Sequence, residues 1–237
     1  MTHSVQFAPA SYSATLVNLS KPRKGRSGDI PIDRRAILGL SVGAIAALSG
    51  WRCAAAASAV SMPIEQLYSV LPQAMRAGRA APFRQRYDML APAIDAAFDL
   101  DEILKNSIGP NWATLSAGDR AALRDAFRRY TIATYVANFD NYSGQRFEVR
   151  PDLQAVGSDQ VVQTRIISGS GESHRLDYVM RQSGGAWRVV DVLADGSVSR
   201  VATQRSEIRS VFASGGSPAL LARLQNKIRE LSGAQMQ

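Results

Sequence analysis

Residues Leu115–Val149, LSAGDRAALRDAFRRYTIATYVANFDNYSGQRFEV, set the architecture that the rest of the chain completes. Ser116-x-x-Asp119 is a helix N-cap pair, and the spacing predicts a helix of about seven turns ending at Ser143-Gly144. In its first half Leu123, Phe127 and Tyr130 recur on one face, and Arg120, Arg124 and Arg128 form a basic row on another. Its second half is apolar almost all round, through Ile132, Ala133, Tyr135, Val136, Ala137 and Phe139. A helix that loses its polar face must be wrapped by other elements. Past Gly144 the chain changes period, and Arg146–Arg150 reads as the first strand of a sheet.

Upstream of this helix the pattern is helical. Pro63–Gly78 places Ile64, Leu67, Val70, Leu71, Ala74 and Met75 inward, with Pro72 as a kink or break. Pro82–Phe98 follows with Phe83, Tyr87, Leu90, Ile94, Ala97 and Phe98, and Pro92 raises the same question. Asp99-x-x-Glu102 is a capping box for a short helix that Gly109-Pro110 stops, leaving Trp112 in a loop.

Downstream the period is two. Gln160–Ser168, Ser173–Gln182 and Trp187–Leu193 alternate, and their links are short and rich in glycine, so they form hairpins. With the strand after the central helix this gives a four-stranded antiparallel meander. Two helices close the chain, Arg200–Ser214 ending at Gly215-Gly216 and a second capped by Ser217-Pro218. The expected fold is α+β, with the sheet packed against the long central helix and flanking N- and C-terminal helices, around an apolar pocket.

Residues 1–59 read as an export leader rather than as part of the fold. Arg34-Arg35 precedes an uncharged run, Ala36–Gly50, and Ala57-Ser58-Ala59 is an A-x-A cleavage site, so the cut is expected near Ala59. The run is too short for a membrane span, which takes about 20 residues. Asp33-Arg34-Arg35-Ala36-Ile37-Leu38 resembles a twin-arginine signal, and general secretion fits as well. The only cysteine, Cys53, lies before the cut, so the single domain 60–237 has to hold together without disulfides. The net charge of +8 is mostly leader. Residues 1–59 carry 7 Lys/Arg against 2 Asp/Glu, leaving 21 against 18, or +3, for 60–237. A domain that mildly basic does not argue for nucleic acid.

Reactive chemistry is thin. Past the leader the sole histidine is His174 at a strand edge, and no nucleophile elbow, P-loop or dinucleotide fingerprint occurs. Asp99, Asp101 and Glu102 are explained by helix capping and the helix dipole. Asp140 and Asp191 follow apolar runs, and they alone suggest an acid–base pair. No catalytic residue, metal site or cofactor is expected.

What stands out is an aromatic surplus around one helix and one sheet face. Phe127, Tyr130, Tyr135, Phe139, Phe147, Tyr178 and Trp187, with Ile108 and Trp112, are either ordinary core or the lining of a pocket for an apolar ligand. Arg120, Arg124, Arg128 and Arg205 are solvated faces, or contacts for a phosphate headgroup or a protein partner.

Several marks then run in order along the chain: Phe127-Arg128-Arg129-Tyr130, Tyr142-x-Gly144, Trp187-x-Val189-x-Asp191-Val192, the turn Gly196-Ser197-Val198-Ser199, Arg205-x-Glu207 and Gly215-Gly216. Together they resemble the MlaC family of periplasmic phospholipid-binding proteins, also called the toluene-tolerance family, from about Met62 to Leu231. Pro82-Phe83-x-x-Arg86-Tyr87 looks closest to the branch of hopanoid gene clusters, labelled HpnM. The resemblance implies a periplasmic, non-enzymatic lipid carrier that serves outer-membrane asymmetry. It would move phospholipid or hopanoid between the membranes with an ABC-type inner-membrane transporter and an outer-membrane lipoprotein. The alternatives are a small-molecule enzyme using Asp140 or Asp191 in an apolar pocket, and an envelope interaction protein with a filled core.

Overall fold

The computed structural model describes residues 47–233, with side chains from residue 58 onward. The arginine pair, most of the uncharged run and the side chains of Cys53 and Ala57 therefore lie outside the described residues. The fold below belongs to the compact unit Ser49–Gln237. Its element order is α1 (Ala47–Ala77), α2 (Phe83–Ala97), α3 (Leu100–Ile108), α4 (Ala117–Asn138), β1 (Arg146–Val156), β2 (Asp159–Ile167), β3 (Ser173–Ser183), β4 (Ala186–Ala194), β5 (Val198–Ser199) and α5 (Arg200–Ser232). Helices and an antiparallel sheet in the order β1-β2-β3-β4-β5 make an α+β architecture. Among the described residues no helix is long and apolar enough to cross a membrane.

The sheet has five strands where the sequence predicts four. Asp195-Gly196 forms a tight turn with positive φ at both residues (52° and 73°), the geometry that favours an Asp-Gly pair. It folds Val198–Ser199 back onto Leu193–Ala194 as β5. Asp191 then fastens strand to helix. Its carboxylate accepts from Val192 N at 2.7 Å, Ser199 Oγ at 2.6 Å and Val201 N at 3.2 Å, while Ser199 caps α5 by accepting from Ala202 N. The aspartate suggested as an acid–base group is occupied in holding the first turn of α5.

The central helix is about six turns long rather than seven. No breaker occurs before Ser143-Gly144, so tertiary contacts end it early. Phe139 leaves the helical basin (φ −114°, ψ 59°), stacks on Tyr135 and packs against Phe147, and the next residue, Asp140, pairs with Arg79 at 2.6 Å. At its other end Ser116 Oγ accepts from Asp119 N at 3.0 Å, the cap that the sequence predicts. The Asp99 cap of α3 is formed too, by Glu102 N donating to Oδ1.

The remaining differences concern helix limits. The backbone of α1 is helical from Ala47 and continues through Pro63 and Pro72, and α2 continues through Pro92. Trp112 sits in a 3-10 turn, Gly109–Thr114, and is buried. The two closing helices meet within α5 at Gly215 and Gly216, whose backbone is not helical. The loop between α4 and β1 is pressed onto the β2–β3 turn. A Cβ on Gly169 would lie 1.8 Å from the Ser143 carbonyl oxygen, so only glycine fits there.

The core lies between the helices and one face of the sheet. Ile64, Leu67 and Leu71 of α1, Leu90 and Ile94 of α2, Ile132 and Val136 of α4, and Val162, Met180 and Val189 of the sheet are completely or almost completely buried. Replacing Asp191 by Ala should lower the unfolding free energy by about 1–3 kcal/mol, because two main-chain N–H groups and a hydroxyl lose their acceptor. Urea denaturation should show this as a lower midpoint with an unchanged slope; an unchanged midpoint would rule out the fastening role.

Candidate functional site

Six aromatic rings from five elements form a closed circuit between the helices and the sheet. Tyr68 of α1 lies 5.0 Å from Phe147 of β1, and Phe147 lies 6.1 Å from Phe139 after α4. Phe139 stacks on Tyr135 of α4 at 5.8 Å, and Tyr135 meets Phe98 after α2 at 5.7 Å. Phe98 touches Tyr178 of β3 at 6.5 Å, and Tyr178 returns to Tyr68 at 6.0 Å. Most contacts are tilted or edge-on, the arrangement that suits the ring quadrupoles, each contributing about 0.5–1.5 kcal/mol beyond area burial.

The circuit carries buried hydroxyls, and they satisfy one another. The Tyr68 hydroxyl lies 2.6 Å from Thr164 Oγ1 and 3.2 Å from the Tyr178 hydroxyl, and Thr164 Oγ1 is 2.6 Å from the Leu176 carbonyl oxygen. Thr164 is opposite Leu176 across the β2–β3 ladder, and Val162 is opposite Tyr178, so the strand register brings these groups together. Burial pushes the Tyr178 hydroxyl well above the usual tyrosine range, and the neighbouring Tyr68 and Tyr135 hydroxyls reinforce the shift. It therefore stays a neutral hydrogen-bonding group in an apolar wall.

Of the sequence-derived pocket residues, the fold brings Tyr135, Phe139, Phe147 and Tyr178 into this circuit. Trp187 is half-buried at the start of β4 and packs against the core beside them. Phe127 is buried in the core, and Ile108 and Trp112 are buried at the α3 end. Tyr130 faces α5, where its neighbours include Gln204 and Glu207, and burial raises its hydroxyl pKa. Tyr68 and Phe98 complete the circuit and were not selected from the sequence as pocket residues. Tyr68 had a readable signal, since it stands four residues after Ile64 and three before Leu71, on their face. Thr164 had none beyond its place in the inward alternation of β2.

The arginine row divides. Arg128 forms a bidentate pair with Asp95 of α2 at 2.7 and 2.6 Å, which holds its guanidinium pKa above the ordinary value. Arg124 pairs with Asp101 at 3.1 Å and lies over the Trp112 ring at 5.3 Å. Both line a surface groove of about 500 Å³, with Phe98 in its wall. Arg120 is turned back onto the Leu115 carbonyl, away from that groove. Arg205 is half-buried on α5, and its Nε has no hydrogen-bond partner among the described residues. Asp140 is paired with Arg79, His174 Nε2 lies 3.8 Å from Glu172, and no group of three or more His, Cys, Asp or Glu among the described residues could hold a metal ion.

Thr164→Val should cost about 1–3 kcal/mol, since the Tyr68 hydroxyl loses a buried partner. Adding Tyr68→Phe should then cost less than it does in the wild type, by about 1 kcal/mol in a double-mutant cycle; strict additivity would mean that the hydroxyls are not one network. On α5, Glu207 faces Arg223 at 3.6 Å, and burial raises its carboxyl pKa against the opposing pull of that arginine. A raised carboxyl contributes most below its unfolded pKa and loses that contribution as pH rises through the folded value. Glu207→Gln should therefore melt at or above the wild-type temperature at neutral pH, with the gap closing towards about pH 4. A lower melting temperature at neutral pH would show that the Arg223 pair outweighs desolvation.

Known proteins resemble this chain in sequence and in fold. A family model described as MlaC protein matches residues 65–226, from α1 through the whole sheet and into α5. No curated protein sequence matches. Among solved structures, a phospholipid-binding protein from Ralstonia solanacearum, determined at 1.53 Å in complex with a phospholipid, superposes with a TM-score of 0.63 at 18% identity. The alignment covers 73% of this chain and 98% of that one, and at this identity the likeness is one of fold.

Proposed function

The chain belongs to the MlaC family, and from that membership we propose that it is a periplasmic phospholipid carrier that works by binding and release, without catalysis. The observation that carries this reading is the aromatic circuit. It lies between the helices and the sheet, and its rings come from both. An acyl chain loses about 0.8 kcal/mol per CH₂ exposed to water, so two tails of lipid length need about 20 kcal/mol of shelter in transit. Admitting a tail exchanges ring–ring contacts for ring–methylene contacts in the same apolar space, which keeps both states close in energy.

In this reading the tails lie between α4 and the inner sheet face, against Tyr135, Phe139, Phe147, Tyr178 and Trp187. Phe127 lies in the adjoining core, Ile108 and Trp112 are buried at the α3 end, and Tyr130 faces α5. The polar end of the lipid lies towards Arg124 and Arg128, with Arg120 and Arg205 on surfaces open to a partner. The fold shared with the Ralstonia protein, whose structure holds a phospholipid, supports this reading. Export by the leader 1–59, with cleavage near Ala59 releasing 60–237, would deliver the carrier to the periplasm. An inner-membrane transporter of the ABC type and an outer-membrane lipoprotein would be its partners. Membership of the HpnM branch, which Pro82-Phe83-x-x-Arg86-Tyr87 resembles, would extend the cargo to hopanoid.

Native mass spectrometry of the protein purified from the periplasm, followed by lipid extraction, tests the reading. A stoichiometric phospholipid is the expected result, and a hopanoid mass would move the cargo to the HpnM branch. A lipid-free mass that stays unchanged after incubation with either lipid would overturn the carrier.

A further inference from the structure

The groove beside Phe98 has a composition that plain core packing does not explain. Its lining carries four carboxylates, Asp95, Asp99, Asp101 and Asp125, and three guanidinium groups, Arg124, Arg128 and Arg188, a formal charge of −1. The rest of its wall comes from Phe98 and Leu100 at the α2–α3 joint and from Ser183, Gly184 and Ala186 at the β3–β4 turn. Charges of both signs are thus held side by side above an apolar floor.

The groups differ in how fully they are engaged. Arg128 and Asp95 are bound to each other through two short bonds. Asp99 caps α3. Arg188 donates to the Asp95 main-chain carbonyl at 2.9 Å, a neutral acceptor, and forms no ion pair among the described residues. Arg124 lies over the Trp112 ring at 5.3 Å, and its partner Asp101 is 66% exposed, so an anion can replace that carboxylate at little cost. Asp125 is also 66% exposed and lies only within 3.9 Å of Arg129. The groove therefore offers two arginines to an anion, and in Asp125 a carboxylate that neither of them holds to a cation.

Its floor leads inward. Phe98 lines the groove and, through Tyr135 and Tyr178, belongs to the buried circuit. The Phe98–Asp99 segment is pinned to β4 by the Phe98–Val189 bridge and by Asp99 N donating to the Val189 carbonyl at 3.0 Å. One ring thus separates a charged outer seat from the aromatic interior.

We propose that this groove seats the headgroup of a zwitterionic, amine-bearing phospholipid, with the phosphate against Arg124 and Arg188, the amine against Asp125, and Phe98 between head and tails. The inference rests on the carrier reading and adds a choice of cargo to it. Charge balance favours this class. A zwitterion leaves the groove at −1, whereas a lipid with an uncompensated phosphate takes it to −2, and the charge-assisted bonds from the arginines are then partly opposed by Asp101 and Asp125. The preference also runs against bulk charge, because residues 60–237 carry a net +3 and would by themselves favour an anionic membrane.

The test is competitive loading. The purified protein, stripped of lipid, is incubated with vesicles of equal parts dioleoyl phosphatidylethanolamine and dioleoyl phosphatidylglycerol, and the bound lipids are counted by native mass spectrometry. The expected result is a preference for phosphatidylethanolamine of about fivefold, the equilibrium equivalent of one exposed ion pair of about 1 kcal/mol. Asp125→Asn should reduce the ratio to near one by lowering phosphatidylethanolamine loading, whereas Asp88→Asn, on the exposed side of α2, should leave it unchanged. Equal loading of the two lipids by the wild type, a preference for phosphatidylglycerol, or a preference that survives Asp125→Asn would each overturn the headgroup seat and leave the carrier intact. Loading of neither lipid would overturn the carrier and this inference with it.

Discussion

A 2.6 Å contact between the Tyr68 hydroxyl and Thr164 Oγ1 ties the first helix to the second strand across the middle of the molecule. A polar group buried without a partner costs about 1–3 kcal/mol, so this pairing fixes the height and rotation of α1 over the sheet more sharply than apolar packing could. The rings that surround it are then placed. Tyr68 meets Phe147 and Tyr178, Phe98 and Tyr135 follow, and Phe139 closes the circuit by leaving its helix early. The end of α4, the turn into β1 and the glycine requirement at residue 169 all follow from that closure.

Main-chain links between the two layers are sparse. At the α2–α3 joint the Asp99 N–H bonds to the Val189 carbonyl, and the Asp191 carboxylate holds the turn from β4 to α5. Between these anchors the layers are joined chiefly by side chains. An interior of that kind can admit a flexible apolar chain without breaking a ladder hydrogen bond, because ring contacts are non-covalent, numerous and individually small. The buried polar groups at its centre, on Tyr68, Thr164 and Tyr178, are neutral hydroxyls rather than charges. The two aspartates that invited a catalytic reading are occupied by Arg79 and by the α5 cap.

Arginine–aspartate pairs play a different part in different places. Arg128–Asp95 joins α4 to α2, and Arg181–Asp159 joins neighbouring strands, where the guanidinium holds the Asp159 carboxyl below its usual range. These pairs position elements. Arg124 lies over the Trp112 ring, and its partner Asp101 is exposed. Three turns of one helix therefore carry arginines of unlike use, although all three have the same spacing in sequence.

Periodicity by itself determined the element types, because burial on one face imposes a repeat of 3.6 or 2 that composition cannot hide. The caps at Ser116 and Asp99, the hairpin links and the turn at Gly215-Gly216 were equally legible, since each depends on a residue and its near neighbours. The fifth strand could have been read from Asp195-Gly196, whose turn preference is local. What only the tertiary structure decided is which aromatic residues share one space, where α4 stops, and which arginine has an exposed partner. Those outcomes depend on contacts between residues up to 110 positions apart, such as Tyr68 with Tyr178, and on the strand register that sets Thr164 beneath the first helix. A helical or strand period fixes which way a side chain faces, and only the assembled layers fix what it meets there.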